Sequence, residues 1–208
     1  MIYKMFIGVD PSINSTGVSV LIYEKDKLVE ERLFIIKPDK LTKKESQAEA
    51  KISNKFEYVL YSKIVPSKED NNTLSEIAKT RNFICICDNV KEIIMHYVKK
   101  YNNAIDVYGC QEGISYGSVT KTKSIFDLAG LNFMLRTMFL TLNIGCHVEL
   151  IIGTPGEIKK FASGNGNCNK ELMISLFKAS HKDIDLPKID DISDAYWMSK
   201  FAKTYTKI

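Results

Sequence analysis

Apolar and polar positions change their spacing along this chain, and the spacing predicts the order of its secondary-structure elements. Short apolar runs bounded by polar turns predict strands, and apolar positions three or four residues apart predict helices. The predicted strands are residues 3–10, 17–24, 27–36, 104–112 and 146–152. The predicted helices are residues 74–100, 123–142, 155–162, 168–180 and 191–204. This order is typical of an α/β fold in which helices flank a mixed five-stranded sheet.

Residues 38–72 follow neither pattern. The segment is polar and rich in lysine, and its one apolar patch lies around FEYVLY at residues 56–61. We interpret it as an insertion into a single domain that spans residues 1–208. A solvated loop with some helix is one interpretation, and an arm that contacts DNA through its lysines is the other.

The predicted helix at residues 123–142 is apolar around most of its circumference. A helix of this kind is expected to be buried on more than one side. It therefore is either the interface of a homodimer, with Gly130 allowing close approach, or part of the core of one subunit.

Composition excludes some classes of protein and leaves others open. Hydrophobic residues make up 45% of the chain, and 29 basic residues nearly balance 25 acidic ones, for a net charge of +4. This small excess permits a nucleic-acid partner without arguing for one. We find neither a cleavable signal pattern nor an apolar run long enough to span a bilayer. We therefore expect a cytoplasmic protein, in a bacterial cell or an infected host, that is not secreted.

The five cysteines are an odd number and show no Cys-x-x-Cys spacing. They are predicted to be free thiols, most of them in the core, in a reducing compartment. A zinc site built from Cys85, Cys87 and one of the three histidines is the alternative, but it lacks a recognised ligand spacing.

Acidic residues recur where predicted elements begin or end. Asp10 and Glu112 each end a predicted strand, and Asp190, Asp191 and Asp194 precede an apolar run near the C-terminus. Asp190 and Asp191 could simply cap a helix, whereas Asp194 lies beyond the capping positions. Carboxylates from separate segments are the usual ligands of hard divalent cations, and Mg²⁺ points to phosphate chemistry.

Four motifs in this order resemble those of one known family. They are GVDPS at residues 8–12 with STG at 15–17, QE at 111–112, the basic stretch KKFASGNGNCNK at 159–170, and DISDA at 191–195. Together they are similar to the motifs of the RuvC-type Holliday junction resolvases, which have an RNase H-like fold. The resemblance covers most of the chain outside residues 38–72, and the length of that segment suggests a viral or phage-like member.

The resemblance implies a function and a set of site residues. Asp10, Glu112, Asp191 and Asp194 would bind two Mg²⁺ ions, with Mn²⁺ as a substitute, and Lys170 would complete the catalytic group. The implied enzyme is an endodeoxyribonuclease whose homodimer makes paired symmetric nicks in four-way junctions and other branched DNA. The residues expected to bind nucleic acid are Tyr116, Lys121, Lys123, Lys159, Gly164 and Gly166.

The sequence departs from the family pattern in the loop after Glu112. The family often has an aromatic residue three positions after this glutamate, where this chain has Ser115, so Tyr116 would take that role or junction opening would differ. Three other functions remain open. They are an RNA-processing nuclease on the same fold, a non-catalytic junction-binding module, and a nucleotide-binding phosphotransferase of the actin and sugar-kinase type.

Overall fold

One mixed β-sheet organises the molecule. The computed structural model describes residues 2–52, 54–67, 71–114, 122–187 and 189–206, with only the backbone of 122–124. Within these ranges the strands are β1 (Tyr3–Asp10), β2 (Thr16–Glu24), β3 (Lys27–Pro38), β4 (Phe56–Tyr61), β5 (Ile105–Glu112) and β6 (Val148–Gly153). Their order in the sheet is β4-β3-β2-β1-β5-β6. β2 is antiparallel to β1 and β3, and the other neighbouring pairs are parallel.

Helices cover both faces of this sheet. They are α1 (Lys43–Ile52), α2 (Asn72–Lys100), α3 (Thr122–Thr141), α4 (Pro155–Ser163), α5 (Lys170–Ser180) and α6 (Ile189–Tyr205). Because side chains alternate along a strand, Met5, Ile7 and Val9 of β1 pack against α2 and α3, whereas Phe6 faces the other helices. The predicted elements are confirmed to within a few residues at each end.

The predicted five-stranded sheet has, in the described residues, a sixth strand, β4, which comes from the segment 38–72. Phe56, Tyr58 and Tyr61 are buried there, because β4 pairs in parallel with the second half of β3. The interpretation of this segment as a solvated loop with some helix agrees with α1, which is mostly exposed, and is wrong for residues 56–61, which form the strand β4. Whether the segment is an insertion stays a prediction.

Within the subunit, the described side chains of α3 are buried on one face only, so the core explains that face and a dimer interface stays a prediction for the other. Leu131, Leu135 and Phe139 pack into the core, whereas Phe126, Phe133 and Leu140 are 75%, 54% and 74% exposed. These three exposed residues, each seven positions after the last, form what we call the α3 stripe. Gly130 faces Phe83 of α2, and a Cβ there would make ordinary contact at 3.6 Å. Packing against α2 therefore does not require a glycine here, and its role in close approach to a second subunit stays a prediction.

Two predictions from composition can be compared with the coordinates. All five cysteines are free, as predicted, and three of them are buried. Within the described ranges, none of the helices combines the length and the apolar character that a membrane crossing requires.

Candidate active site

Asp10 and Glu112 lie side by side at one edge of the sheet. β1 and β5 are neighbouring parallel strands, with Val9 opposite Gln111, so both strands end at the same edge. Phe6 and Tyr108 stack on each other on the α6 side of the sheet. Because side chains two or four residues further along a strand share that face, Asp10 and Glu112 also lie on the α6 side.

The helix α6 approaches this edge closely because two glycines face it. A Cβ at Gly8 of β1 would lie 1.9 Å from the carbonyl oxygen of Ala195. A Cβ at Gly17 of β2 would lie 2.2 Å from the carbonyl oxygen of Asp191. Any side chain at either position would push α6 away from the sheet. The glycines therefore bring Asp191 and Asp194 to the strand ends that carry Asp10 and Glu112.

Polar contacts hold the surrounding backbone in place. The Thr16 hydroxyl donates to the Ser12 carbonyl at 2.7 Å and accepts from the Ser12 N–H at 3.2 Å, which closes the turn after Asp10. The hydroxyls of Ser19 and Ser199 are 2.9 Å apart and link α6 to β2. Arg136 of α3 donates to the carbonyl oxygen of Glu112 at 3.2 Å from the opposite face.

The carboxylates of this site raise one another's pKa. The pKa of Asp10 lies well above its usual value, first because of burial and then because of the charges of Asp194, Asp191 and Glu112. Burial and the charge of Asp194 raise the pKa of Glu112. Burial is also the largest cause of the raised pKa of Asp194. The structure therefore brings together the four acids that the sequence predicted, and their grouping favours a bound cation.

Lys170 lies beside these acids, as predicted. It begins α5, whose N-cap Asn169 accepts a hydrogen bond from the N–H of Leu172. Its Nζ is 2.9 Å from Asp190 Oδ2 and 3.8 Å from Asp194 Oδ2. Burial alone would lower the pKa of Lys170, but the hydrogen bond to Asp190 and the nearby negative charges raise it. Lys170 therefore stays charged.

Asp190 has a role that the sequence did not predict. Its carboxylate accepts hydrogen bonds from the backbone at the start of α6, which agrees with the capping interpretation, and it also forms an ion pair with Lys170. Burial acts to raise the pKa of Asp190, and the hydrogen bond and charge of Lys170 outweigh it, so the pKa is lowered. The carbonyl of Met173 in α5 accepts hydrogen bonds from Ser193 and Trp197 of α6, which keeps the two helices together. The spacing of two helices in the fold, rather than any motif, creates this pair.

The donor set consists of carboxylate oxygens, which suits Mg²⁺ or Mn²⁺. Among the described residues, no three Asp, Glu, His or Cys side chains are already arranged as a complete metal site. The zinc alternative is therefore not found in those residues. The acids fit a hard divalent cation by the chemistry of their oxygens and by their mutual repulsion.

The residues predicted to bind nucleic acid differ in how far the structure describes them. Lys159 of α4 lies close enough to oppose the raised pKa of Glu112 and of Asp194. Tyr116 and Lys121 lie outside the described residues, as does the Ser115 position. Lys123 lies in α3, and its side chain is not among those described.

The two glycines of the basic stretch have structural roles, and a contact of Gly166 with nucleic acid stays a prediction. Gly164 ends α4 with φ 79°, and its N–H donates to the Lys160 carbonyl at 2.8 Å. That N–H is therefore not available to a phosphate. A Cβ at Gly166 would lie 3.0 Å from the carbonyl oxygen of Gly156, so this glycine lets the loop pack against the start of α4.

Comparison with known proteins gives structural matches only. No family model and no curated protein matches the chain. The solved structure of RuvC from Thermus thermophilus is 13% identical, with a TM-score of 0.53 over 98% of this chain and 95% of that chain. The T. thermophilus RuvC complex with Holliday junction substrate is 11% identical, with a TM-score of 0.48 over 99% and 94% of the two chains. The yeast mitochondrial Holliday junction resolvase Ydc2 is also 11% identical, with a TM-score of 0.42 over 96% and 80%.

At these identities the likeness shows the fold alone, and only the first TM-score exceeds 0.5. The predicted RNase H-like fold is confirmed, with six strands among the described residues. The structure matched above a TM-score of 0.5 is bacterial, so it gives no support to a viral or phage-like origin.

Proposed function

We propose that this protein is a metal-dependent endonuclease that cleaves branched DNA, with the four-way Holliday junction as its main substrate. One observation carries the proposal. Asp10, Glu112, Asp191 and Asp194 come from three distant parts of the chain and gather at one edge of the sheet, and burial and mutual repulsion raise the pKa of Asp10 far above normal. The fold match to RuvC and the four sequence motifs support the choice of substrate.

The acids would hold two Mg²⁺ ions, or Mn²⁺ in their place. When bound, such ions activate a water molecule and stabilise the oxygen that leaves the phosphate. The chain's own residues bind the ions from two sides, because Asp10 and Glu112 end neighbouring strands while Asp191 and Asp194 belong to α6. Bound cations would also remove the repulsion between the carboxylates.

Lys170 supplies a positive charge that does not depend on the metal. Its Nζ is 2.9 Å from Asp190 Oδ2, and this ion pair fixes the ammonium group beside the acids. A fixed charge at this place stabilises the negative charge that develops on a phosphate during cleavage. Lys159 extends the positive surface along α4 and would contact the DNA backbone.

A homodimer is part of the proposal, because resolving a four-way junction requires two symmetric nicks. Closed two-fold symmetry is the common way to place two equal active sites on one substrate. The α3 stripe, formed by Phe126, Phe133 and Leu140, is the surface that we assign to the dimer interface. Exposed apolar surface of this kind usually marks a contact with another molecule.

The test is a cleavage assay on labelled four-way, flap and linear duplex DNA, with Mg²⁺ or with EDTA. We expect the four-way junction to be cut in paired positions, and only in the presence of the metal. Asp194→Asn should abolish cutting while binding persists. Asp185→Asn is the matched control, because Asp185 is exposed and is not one of the four acids of the site. Equal cutting of linear DNA, or cutting in EDTA, would contradict the proposal.

Two further arms separate the remaining alternatives. Structured RNA substrates of the same shape test the RNA-processing nuclease. Calorimetry with ATP tests the nucleotide-binding phosphotransferase. Preference for RNA, or tight ATP binding without DNA cleavage, would replace the proposed function by the corresponding one.

A further inference from the structure

A small recess lies behind the loop that follows Asp10, between that loop and the segment that contains α1 and β4. It has a volume of about 30 Å³, and polar side chains of Ser15, Lys37, Glu45 and Tyr58 line it. Ser15 belongs to the loop, Lys37 to β3, Glu45 to α1 and Tyr58 to β4. Asn14 beside Ser15, Ile35 of β3 and Pro187 ahead of α6 complete the lining, so five separate parts of the chain meet at this point.

Two hydroxyl groups at this recess are sealed from solvent. Ser15 is 2% exposed and Tyr58 is 7% exposed, and neither Ser15 Oγ nor Tyr58 OH has a hydrogen-bond partner in the part of the chain that is described. A buried hydroxyl without a partner costs about 1–3 kcal/mol. Two of them at one recess indicate that the recess holds a molecule that serves both.

The charges at the recess are already balanced. Lys37 Nζ is 2.6 Å from Glu45 Oε1, and the other Glu45 oxygen accepts from the N–H of Thr42 at 2.7 Å. Burial alone would raise the pKa of Glu45, but the hydrogen bonds from Lys37 and Thr42 lower it. The carboxylate of Glu45 therefore stays charged and is paired with Lys37, so we expect a neutral occupant.

The remaining donors and acceptors suit a water molecule. A volume near 30 Å³ is enough for one water, which normally makes about three hydrogen bonds in a buried site. Burial and the charges of Glu45 and Glu49 raise the pKa of Tyr58, so its hydroxyl keeps its proton and can donate. Ser15 can donate or accept, and Lys37 has further N–H groups beyond the one directed at Glu45.

We propose that a buried water bridges Tyr58 OH and Ser15 Oγ, and that Tyr58 is thereby a positioning residue for the loop after Asp10. A weaker contact supports the same link, because Tyr61 OH lies 3.5 Å from the Ile13 carbonyl oxygen. The segment that contains α1 and β4 would then hold the loop after Asp10 in position beside the acids.

The first experiment is a double-mutant cycle with Tyr58→Phe and Ser15→Ala, measured by urea unfolding without metal. If a water joins the two hydroxyls, each single change should lower the folding equilibrium constant about fivefold, and the double mutant should lose little more than one single mutant. Truly unpartnered hydroxyls would give the opposite sign, because their removal relieves a cost. Neutral, stabilising or fully additive changes would therefore overturn the bridge.

The matched control is Tyr108→Phe, which removes a hydroxyl from an equally buried ring of β5. Amide hydrogen exchange is the second readout. Residues 12–16 should exchange about tenfold faster in Tyr58→Phe and at the wild-type rate in Tyr108→Phe. An unchanged rate in Tyr58→Phe would overturn the positioning role.

A high-resolution crystal structure of the full chain completes the test. Density within hydrogen-bonding distance of both hydroxyls is expected, and an empty recess contradicts the proposal. A bromide soak that places an anomalous peak there would show an anion site instead and would also overturn it. These measurements need neither DNA nor metal, so they can fail or succeed independently of the proposed function.

Discussion

The helices α6 and α3 depart from simple amphipathic patterning in opposite directions. The sheet-facing side of α6 carries the buried Ser199 and the partly buried Asp194, where apolar residues would be expected. The solvent-facing side of α3 carries Phe126, Phe133 and Leu140, where polar residues would be expected. One helix therefore has charge inside, and the other has apolar surface outside.

The difference teaches that each helix is adapted to something outside its own chain. The energy of folding one subunit explains neither pattern, since buried acids and exposed phenyl rings both work against it. Local conflicts of this kind are expected at functional sites. We assign the acids of α6 to metal and phosphate, and the stripe on α3 to a second copy of the protein.

The largest expected effect comes from Asp10→Asn. Loss of this ligand should lower junction cleavage more than about 100-fold, because the carboxylate is needed to hold the metal. The same change should stabilise the metal-free protein by about 1 kcal/mol, because it removes one of several repelling charges. Cleavage rates and urea unfolding in EDTA measure the two effects.

An opposite movement of activity and stability distinguishes a metal site from a structural network. The control is Asp185→Asn, which should change neither quantity, because Asp185 is 96% exposed. If Asp10→Asn destabilises the metal-free protein, the carboxylate has a structural partner. The assignment of the acid cluster to a bound metal would then fail.

The second expected effect tests the other side of the comparison. Leu140→Glu places a charge in the α3 stripe and should weaken dimerisation at least about tenfold, with no loss of folding in the monomer. Sedimentation at several concentrations measures it. Val65→Glu is the matched control, since Val65 is an exposed apolar residue elsewhere, at 72% exposure. A wild-type protein that stays monomeric at all concentrations would contradict the assignment.

Much of the fold and the positions of the acids could be predicted from the sequence. A strand that ends in an acid and a helix with acids three residues apart are local patterns that are visible in the sequence. The parallel arrangement then brings the strand ends, and with them the acids, together. The strand β4 was missed because FEYVLY at residues 56–61 is short and lies between polar stretches. Its burial depends on pairing with β3, which no local pattern reveals.

The details of the site depend on packing that a sequence does not show. Gly8 and Gly17 were noted only as parts of motifs, although their missing side chains decide how close α6 lies to the sheet. The pairing of Asp190 with Lys170 depends on the distance between α5 and α6. The sequence did not show which face of α3 packs into the core, because composition alone does not distinguish a core face from an interface.

A smaller effect concerns the pH dependence of stability without metal. The pKa values of Asp10, Glu112 and Asp194 are raised in the folded protein above the ordinary 3.8 for Asp and 4.5 for Glu. The folded state then binds more protons than the unfolded state. The stabilisation that these three groups contribute is therefore full below about pH 4, and it is lost as pH rises through the raised pKa values. Urea unfolding in EDTA should show stability falling by about 1 kcal/mol from pH 5 to pH 7.

Two comparisons isolate the contribution of the acid cluster to that pH dependence. Glu112→Gln should make the dependence shallower, because one of the raised groups is removed. Saturating Mg²⁺ at pH 7 should restore stability, since binding to the folded state alone shifts the equilibrium. A pH profile that Glu112→Gln leaves unchanged would place the dependence elsewhere, for example in Asp190 or Glu45, whose lowered pKa values act in the opposite sense.

The smallest expected effect separates Lys159 from its neighbour Lys160 in DNA binding. Lys159 is the one of the two whose charge acts on Glu112 and Asp194, so it lies on the side of α4 that faces the acids. Lys159→Ala should weaken junction binding a few fold and reduce the slope of log affinity against log salt by about one. Lys160→Ala, on the exposed side of the same helix, should leave that slope unchanged. Equal effects of the two changes would mean that DNA responds to the general charge of α4, and the phosphate path would then not run past the acids of α6.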